Sequence, residues 1–245
     1  MNELFGQVFS IAKKHPPVEG CTISKSVNQR ENAIFYFSLA ENTDISAEIF
    51  PYHKFIYVLE GSVTICQQLL KTGDSILTPC EIPVGMETKT GVVYLEIELP
   101  KSNFISPKLP IGKVFSLPSL LKENTKLTES PKLEIHFYTL EAGKSLTFDS
   151  NQDLYLLDLA GQGSITDQTT TLKISDLQSF CIQHGTSFTL ETKDPLQLLM
   201  LKLQAKKKTR LTSHLAHLLR LRLGGYNRYS YKASLRFPNL LNLCR

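Results

Sequence analysis

The sequence predicts an all-β protein of two small tandem jelly-roll barrels, followed by a basic, partly helical tail. Three observations carry this reading. Short runs rich in Val, Ile, Tyr and Phe recur between Gly, Asn, Asp and Pro, as half-buried strands do. The first hundred residues echo in the second hundred. The charge balance then breaks abruptly near residue 204.

The strand signals come first. AIFYFSLA, KFIYVLEG, SVTICQ, DSILTP and GVVYLEIEL are each short and apolar. GVVYLEIEL alternates Val93, Leu95, Ile97 and Leu99 against Tyr94, Glu96 and Glu98. That alternation predicts a strand with one buried and one polar face. Within the first two hundred residues helical periodicity is weak, confined to stretches near 4–14 and 117–122. Many short strands in about a hundred residues suit a small barrel or jelly roll.

The echoes come in chain order. GQVFSI at 6–11 returns as GKVFSL at 112–117, and IFYFSLAEN at 34–42 as IHFYTLEAG at 135–143. YVLEGSVTI at 57–65 returns within 156–166, and TGDSILTP at 72–79 within 174–182. The offsets are 106, 101, 100 and 102 residues, nearly one value. Two copies of one domain follow. The copies occupy residues 1–100, with a leading segment 1–30, and 112–204; a Pro- and Ser-containing linker at 101–111 joins them.

Composition narrows the class. The chain has 245 residues, 42% apolar and 20% charged, as globular domains have. No run of eighteen apolar residues predicts a membrane span, and the first residues do not read as an export signal. The five cysteines are scattered, with no C-x-x-C pair, which suits a reducing, cytoplasmic setting. Residues 1–194 carry 16 Lys and Arg against 23 Asp and Glu, a net of −7; residues 195–245 carry 11 basic residues and no acid. P-loop, G-x-S-x-G and G-x-G-x-x-G patterns are absent.

With YVLEG at 57–61, the Gly73–Asp74 turn and TPCEIPVG at 78–85, the sequence resembles the cupin superfamily. The duplication makes it similar to a bicupin. The second copy is fainter, with LLDLAG at 156–161, Ser175–Asp176 and CIQHGTSFTLE at 181–191. The resemblance implies two cupin barrels packed together and a homodimer. It also implies where a metal would sit: at H-x-H, a glutamate a few residues on, and a later histidine. Counted back from Gly61, those slots hold Glu48, Phe50, Lys54 and Val84, or, with the longer spacing, Ala47 and Ile49 in the first two places; in the second copy they hold Phe148, Ser150, Leu154 and Phe188. Phe, Leu and Val donate nothing to a metal. The expectation is therefore no metal, no cofactor and no catalytic residue. His53, one position from Lys54, belongs on the opposite strand face.

Lys54 is the informative residue. With cupin geometry it faces the barrel interior, with Glu48 across from it. Three readings stay open: Lys54 binds an acidic or polar small molecule; it forms an ion pair with Glu48 where a metal would sit; or it snorkels to the barrel mouth. Glu48, Phe50, Tyr52, Lys54 and Tyr36 form the candidate ligand-binding set. Cys80 and Cys181 fall at near-matching places and read as small core residues.

The expected function is a non-enzymatic bicupin that binds a small polar or acidic molecule, or acts as a scaffold. One alternative is a metal-independent isomerase or lyase using Lys54 and Glu48. Another is a ligand-sensing regulator whose tail binds nucleic acid. The tail, 205–245, places Leu211, Leu215, Leu218 and Leu219 at helical spacing and interleaves Tyr226, Tyr229 and Tyr231 with basic residues. That pattern suits nucleic acid or an anionic surface. It equally suits an extension unrelated to the barrels.

Overall fold

The computed structural model describes residues 5–26, 34–149, 151–167 and 169–204. The predicted tail and the slot residue Ser150 lie outside the described residues.

The first half runs β1 (Val8–Phe9), α1 (Ile11–Lys14), β2 (Thr22–Ser26), β3 (Ile34–Leu39), β4 (Thr43–Ile49), β5 (Tyr52–Ile65), β6 (Gln68–Lys71), β7 (Ser75–Leu77), β8 (Pro83–Thr88) and β9 (Val92–Pro100). The connection contains β10 (Phe104–Ile105). The second half repeats the plan: β11 (Val114–Phe115), α2 (Leu117–Leu120), β12 (Thr125–Glu129), β13 (Leu133–Leu140), β14 (Ser145–Asp149) and β15 (Asp153–Ala160). It finishes with β16 (Gln162–Thr166), β17 (Thr171–Ser175), β18 (Ser179–Ile182), β19 (Ser187–Thr192) and β20 (Leu196–Leu203). Each helix is a single turn that follows a Val-Phe strand pair.

One large sheet has the order β11-β7-β5-β9-β3-β2, with β4, β6 and β8 curling off it. The second half forms a sheet β1-β18-β15-β20-β13-β12-β10 and a smaller one, β14-β19-β16-β17. Each half thus closes as a jelly-roll barrel, here barrel 1 and barrel 2. The long β5 crosses both walls of barrel 1; β15 and β16 do the same in barrel 2.

The leading strands cross over. β1, from the first copy, pairs with β18 of barrel 2, with Val8 opposite Phe180 and Phe9 opposite Ser179. β11, from the second copy, pairs with β7 of barrel 1, with Val114 opposite Ile76 and Phe115 opposite Ser75. The sequence places segment 1–30 with the first barrel; in the structure its β1 pairs with barrel 2, while its β2 adds to barrel 1 beside β3. Each borrowed strand covers an edge that would otherwise present unpaired amide and carbonyl groups.

Side chains alternate faces along these strands. On β5, Ile56 and Val58 line barrel 1, where they meet Leu70, Ile76, Met86 and Tyr94. Phe55, Tyr57 and Leu59 point the other way, into a layer shared with Phe137, Tyr155 and Leu199 of the second half. Phe9 and Phe115, brought in by the exchanged strands, are buried in this same layer. A third cluster, including Leu156, Phe180, Leu190 and Leu198, fills barrel 2.

A matched glycine closes the sharp turn in each copy. Gly61 has φ +82°, and a Cβ there would sit 2.2 Å from the Gly91 carbonyl oxygen. Gly161 has φ +101°, and its Cβ would sit 2.3 Å from the Pro195 oxygen. Only glycine allows both the left-handed backbone and the close approach.

Candidate functional site

The site is built on barrel 1 from β5, β9, the end of β4 and the turn between β4 and β5. On β5, Lys54 shares the inward face with Ile56 and Val58. β9 is its neighbour, with Lys54 opposite Glu98 and Ile56 opposite Glu96. This register brings the Lys54 ammonium to 3.0 Å from Glu96 Oε1. The side chains of Lys54 and Glu96 are only 12% and 3% exposed. The Lys54 amide donates to Thr78 Oγ1 at 2.9 Å, which locks the strand beneath the side chain.

Two aromatics close around the pair. The Lys54 Nζ lies 3.8 Å from the centroid of the Phe50 ring, a cation–π contact. Phe50 in turn lies against Tyr52, with centroids 5.3 Å apart. The Tyr52 hydroxyl donates to Glu98 Oε1 at 3.0 Å. Burial, and then the bond to Glu98, push the Tyr52 hydroxyl well above its usual range. Burial also pushes the Glu96 carboxyl up, and the Lys54 ammonium pulls it back. Glu96 Oε2 is buried and has no hydrogen-bond partner.

Of the expected site residues, the structure brings together Phe50, Tyr52 and Lys54, with Glu48 at the rim. Two expectations change. The partner of Lys54 is Glu96, not Glu48. A register shift between Ile45 and Glu48 interrupts the β4–β8 ladder, and Glu48 ends opposite Val84 and exposed to solvent. Tyr36 is buried on the opposite face of the sheet, in the shared layer, stacked on His15 at 4.7 Å. It does not join the site.

Glu96 and Glu98 were missed because GVVYLEIEL reads as a strand with one polar face. Both faces of β9 are in fact buried: Tyr94 and Glu96 face barrel 1, and Val93, Leu95 and Ile97 face the shared layer. The signal was present in the two glutamates, placed two apart on a strand otherwise all apolar.

The metal slots of the cupin pattern can now be tested against side chains. In barrel 2, Phe148, Leu154 and Phe188 are buried in the apolar filling. In barrel 1, Val84 is apolar, Lys54 is a cation held by Glu96, and Glu48 alone has a suitable donor. These residues do not fit a transition metal, which needs three or four converging N, O or S donors. Among the described residues, no group of three His, Cys, Asp or Glu converges as a metal site. His53 points to the other face of β5, its Nδ1 2.7 Å from the Thr78 carbonyl oxygen. Cys181 is buried in the core, Cys80 is half-buried, and burial raises both thiols, so neither is a ready thiolate.

Barrel 2 carries different chemistry at matching positions. Leu154, Met200 and Lys202 stand where barrel 1 has Lys54, Glu96 and Glu98. His136 Nε2 lies 3.0 Å from Glu134 Oε2, and Lys202 lies 3.7 Å from the same oxygen. Burial lowers the His136 imidazole, and its hydrogen bond lowers the Glu134 carboxyl. A cleft of about 440 Å3 opens beside Glu134, with Gln152, Gln204 and Phe104 on its walls.

No family model matches the sequence, and no curated protein matches it. Solved structures match its shape. A cupin 2 conserved barrel domain protein from Leptotrichia buccalis superposes with a TM-score of 0.68 at 17% identity, covering 82% of this chain and 97% of that one. A variant of salicylate 1,2-dioxygenase from Pseudoaminobacter salicylatoxidans gives 0.54 at 12% identity, covering 89% and 87%. A second variant of that dioxygenase, in complex with gentisate, gives 0.53 at 12%. The chain therefore has the fold of the cupin superfamily. The barrel occurs twice, in tandem, which is the arrangement of a bicupin. No helix among the described residues is long and apolar enough to cross a membrane.

Proposed function

We propose that this protein is a non-enzymatic bicupin that binds a small polar molecule at the open end of barrel 1. The observation that carries this reading is the Lys54–Glu96 ion pair, at 3.0 Å, beside the slots where the cupin pattern places a metal. Lys54 itself occupies the glutamate slot of that pattern. A buried ion pair is by itself weak evidence of function, since it can simply fill space. Here it is incomplete: Glu96 Oε2 has no partner. A buried polar atom left unsatisfied calls for an occupant, whether water or a ligand. Phe50 and Tyr52 give that occupant an apolar wall, and Glu98 and Glu48 give it polar ends. This mixture of aromatic wall and few converging polar groups is what small-molecule sites share.

Matching structures include variants of a dioxygenase, but their likeness to this chain is one of fold. The slots that would hold a catalytic metal carry too few donors here, so the reading is one of binding without turnover. Elemental analysis and native mass spectrometry of the purified chain test it. The expected result is less than about 0.1 equivalent of Fe, Mn, Zn, Ni or Cu, together with a co-purified small molecule lost in Phe50→Ala. Stoichiometric metal, or no small molecule in any preparation, refutes it.

A further inference from the structure

We propose that the mouth of barrel 1 selects a small organic cation bearing a primary ammonium group, and that the Lys54 side chain holds its place until the ligand arrives. This rests on the reading that the mouth binds a small polar molecule, and it names the class of that molecule. The structure already shows an ammonium in the cradle. Lys54 Nζ sits between a buried carboxylate, 3.0 Å away, and the face of an aromatic ring, with 3.8 Å to its centroid. A carboxylate on one side and a π face on the other is how proteins hold organic ammonium groups.

Charge points the same way. Glu98 accepts from the Tyr52 hydroxyl, and beyond burial, which pushes that hydroxyl upward most, Glu98, Glu96 and Glu48 add to the push. Among the described residues, Lys54 is the cation that pairs with one of them, Glu96. An acid entering here would meet a net negative rim and a lysine already engaged. The hydrogen-bond balance agrees. The Tyr52 hydroxyl is spent on Glu98, and Glu96 Oε2 is an acceptor without a donor. An ammonium brings three donors and no acceptor. Glu96 is nearly closed to solvent, whereas Lys54 is its more exposed partner. The ligand therefore enters by displacing the Lys54 ammonium, which turns to Glu98 and Glu48 at the rim. Barrel 2 has no such cradle, since Leu154 and Met200 occupy the matching positions.

The test is thermal unfolding of the full chain with propylammonium, butane-1,4-diammonium, propionate, succinate and 1-propanol at equal ionic strength. The two ammonium probes should raise the Tm of the parent, and the acids and the alcohol should not. In Lys54→Ala the ammonium shift should grow, because the vacated place receives the probe; in Lys54→Ala with Glu96→Leu it should vanish. Glu98→Gln, which keeps the ion pair, should weaken the apparent ammonium affinity by about tenfold, and it serves where Lys54→Ala fails to fold. An ammonium shift of equal size in Glu98→Gln and in the double variant marks general counter-ion binding to the acidic body and overturns the inference. If acids shift the parent and ammonium probes do not, the mouth binds a polar ligand but the cation assignment falls. If no probe shifts any variant, both the assignment and the binding site fall.

Discussion

Replacing Asp158 by asparagine should stabilise the protein, and the gain should depend on pH. Asp158 lies on β15, next to the irregularity that shifts its register with β20. It is fully buried, and neither carboxyl oxygen has a hydrogen-bond partner. Burial pushes the carboxyl from its ordinary value of 3.8 to about 7; Asp176 adds to the shift, and the Ala160 amide opposes it without closing a well-formed hydrogen bond. The folded state therefore holds a proton that the unfolded chain releases at lower pH. Stability should fall as pH rises from about 4 to about 7 and level off above that. A shift of roughly three pKa units at about 1.4 kcal/mol each amounts to about 4 kcal/mol. Part of this is already lost at pH 5, so about 2–3 kcal/mol separates pH 5 from pH 8. Asparagine keeps the shape and cannot ionise. Urea unfolding of parent and Asp158→Asn at the two pH values isolates this one group, because every other titration cancels in the difference. The variant should gain about 2–3 kcal/mol on the parent between pH 5 and pH 8. A gap that does not change with pH would show that Asp158 titrates alike in the folded and unfolded chains, and would refute the argument from its burial.

Lys54→Met should cost about 3–5 kcal/mol by stranding the Glu96 carboxylate; adding Glu96→Leu should recover most of it, and adding Glu48→Leu should recover none, all measured by denaturant unfolding. Gly161→Ala should destabilise by well over 1 kcal/mol, since it forces a Cβ onto the Pro195 oxygen at φ +101°; a neutral result in the same assay would mean the turn relaxes. Phe9→Ala should cost about 3–5 kcal/mol despite its place near the start of the chain, because it empties part of the shared layer and loosens the strand covering β18. If Phe9→Ala melts like the parent, the exchanged strand contributes little.

How far the sequence reaches shows in particular residues. The strands were legible because β-branched and aromatic runs between turn residues are a local signal. So was the matched glycine in the two copies, whose turn demands positive φ wherever the fold places it. Lys54 and His53 fall on opposite faces by alternation alone, and the structure keeps them there. The GQVFSI and GKVFSL repeats were visible as repeats, yet nothing local says that each strand pairs with the other copy's barrel. Cupin geometry put Glu48 across from Lys54, and an ion pair between them was one of three readings; the register of β5 against β9 gave that place to Glu96, and an irregularity in the β4–β8 ladder left Glu48 exposed. The polar face read from GVVYLEIEL became the wall of barrel 1, because burial depends on what packs against a strand. Nothing local to LLDLAG marks Asp158 as buried; the tertiary packing removes it from water. Propensity and alternation act over a few residues and are written in the chain. Register, strand exchange and burial arise from long-range packing that forms all at once, so only the tertiary structure decided which charge meets which.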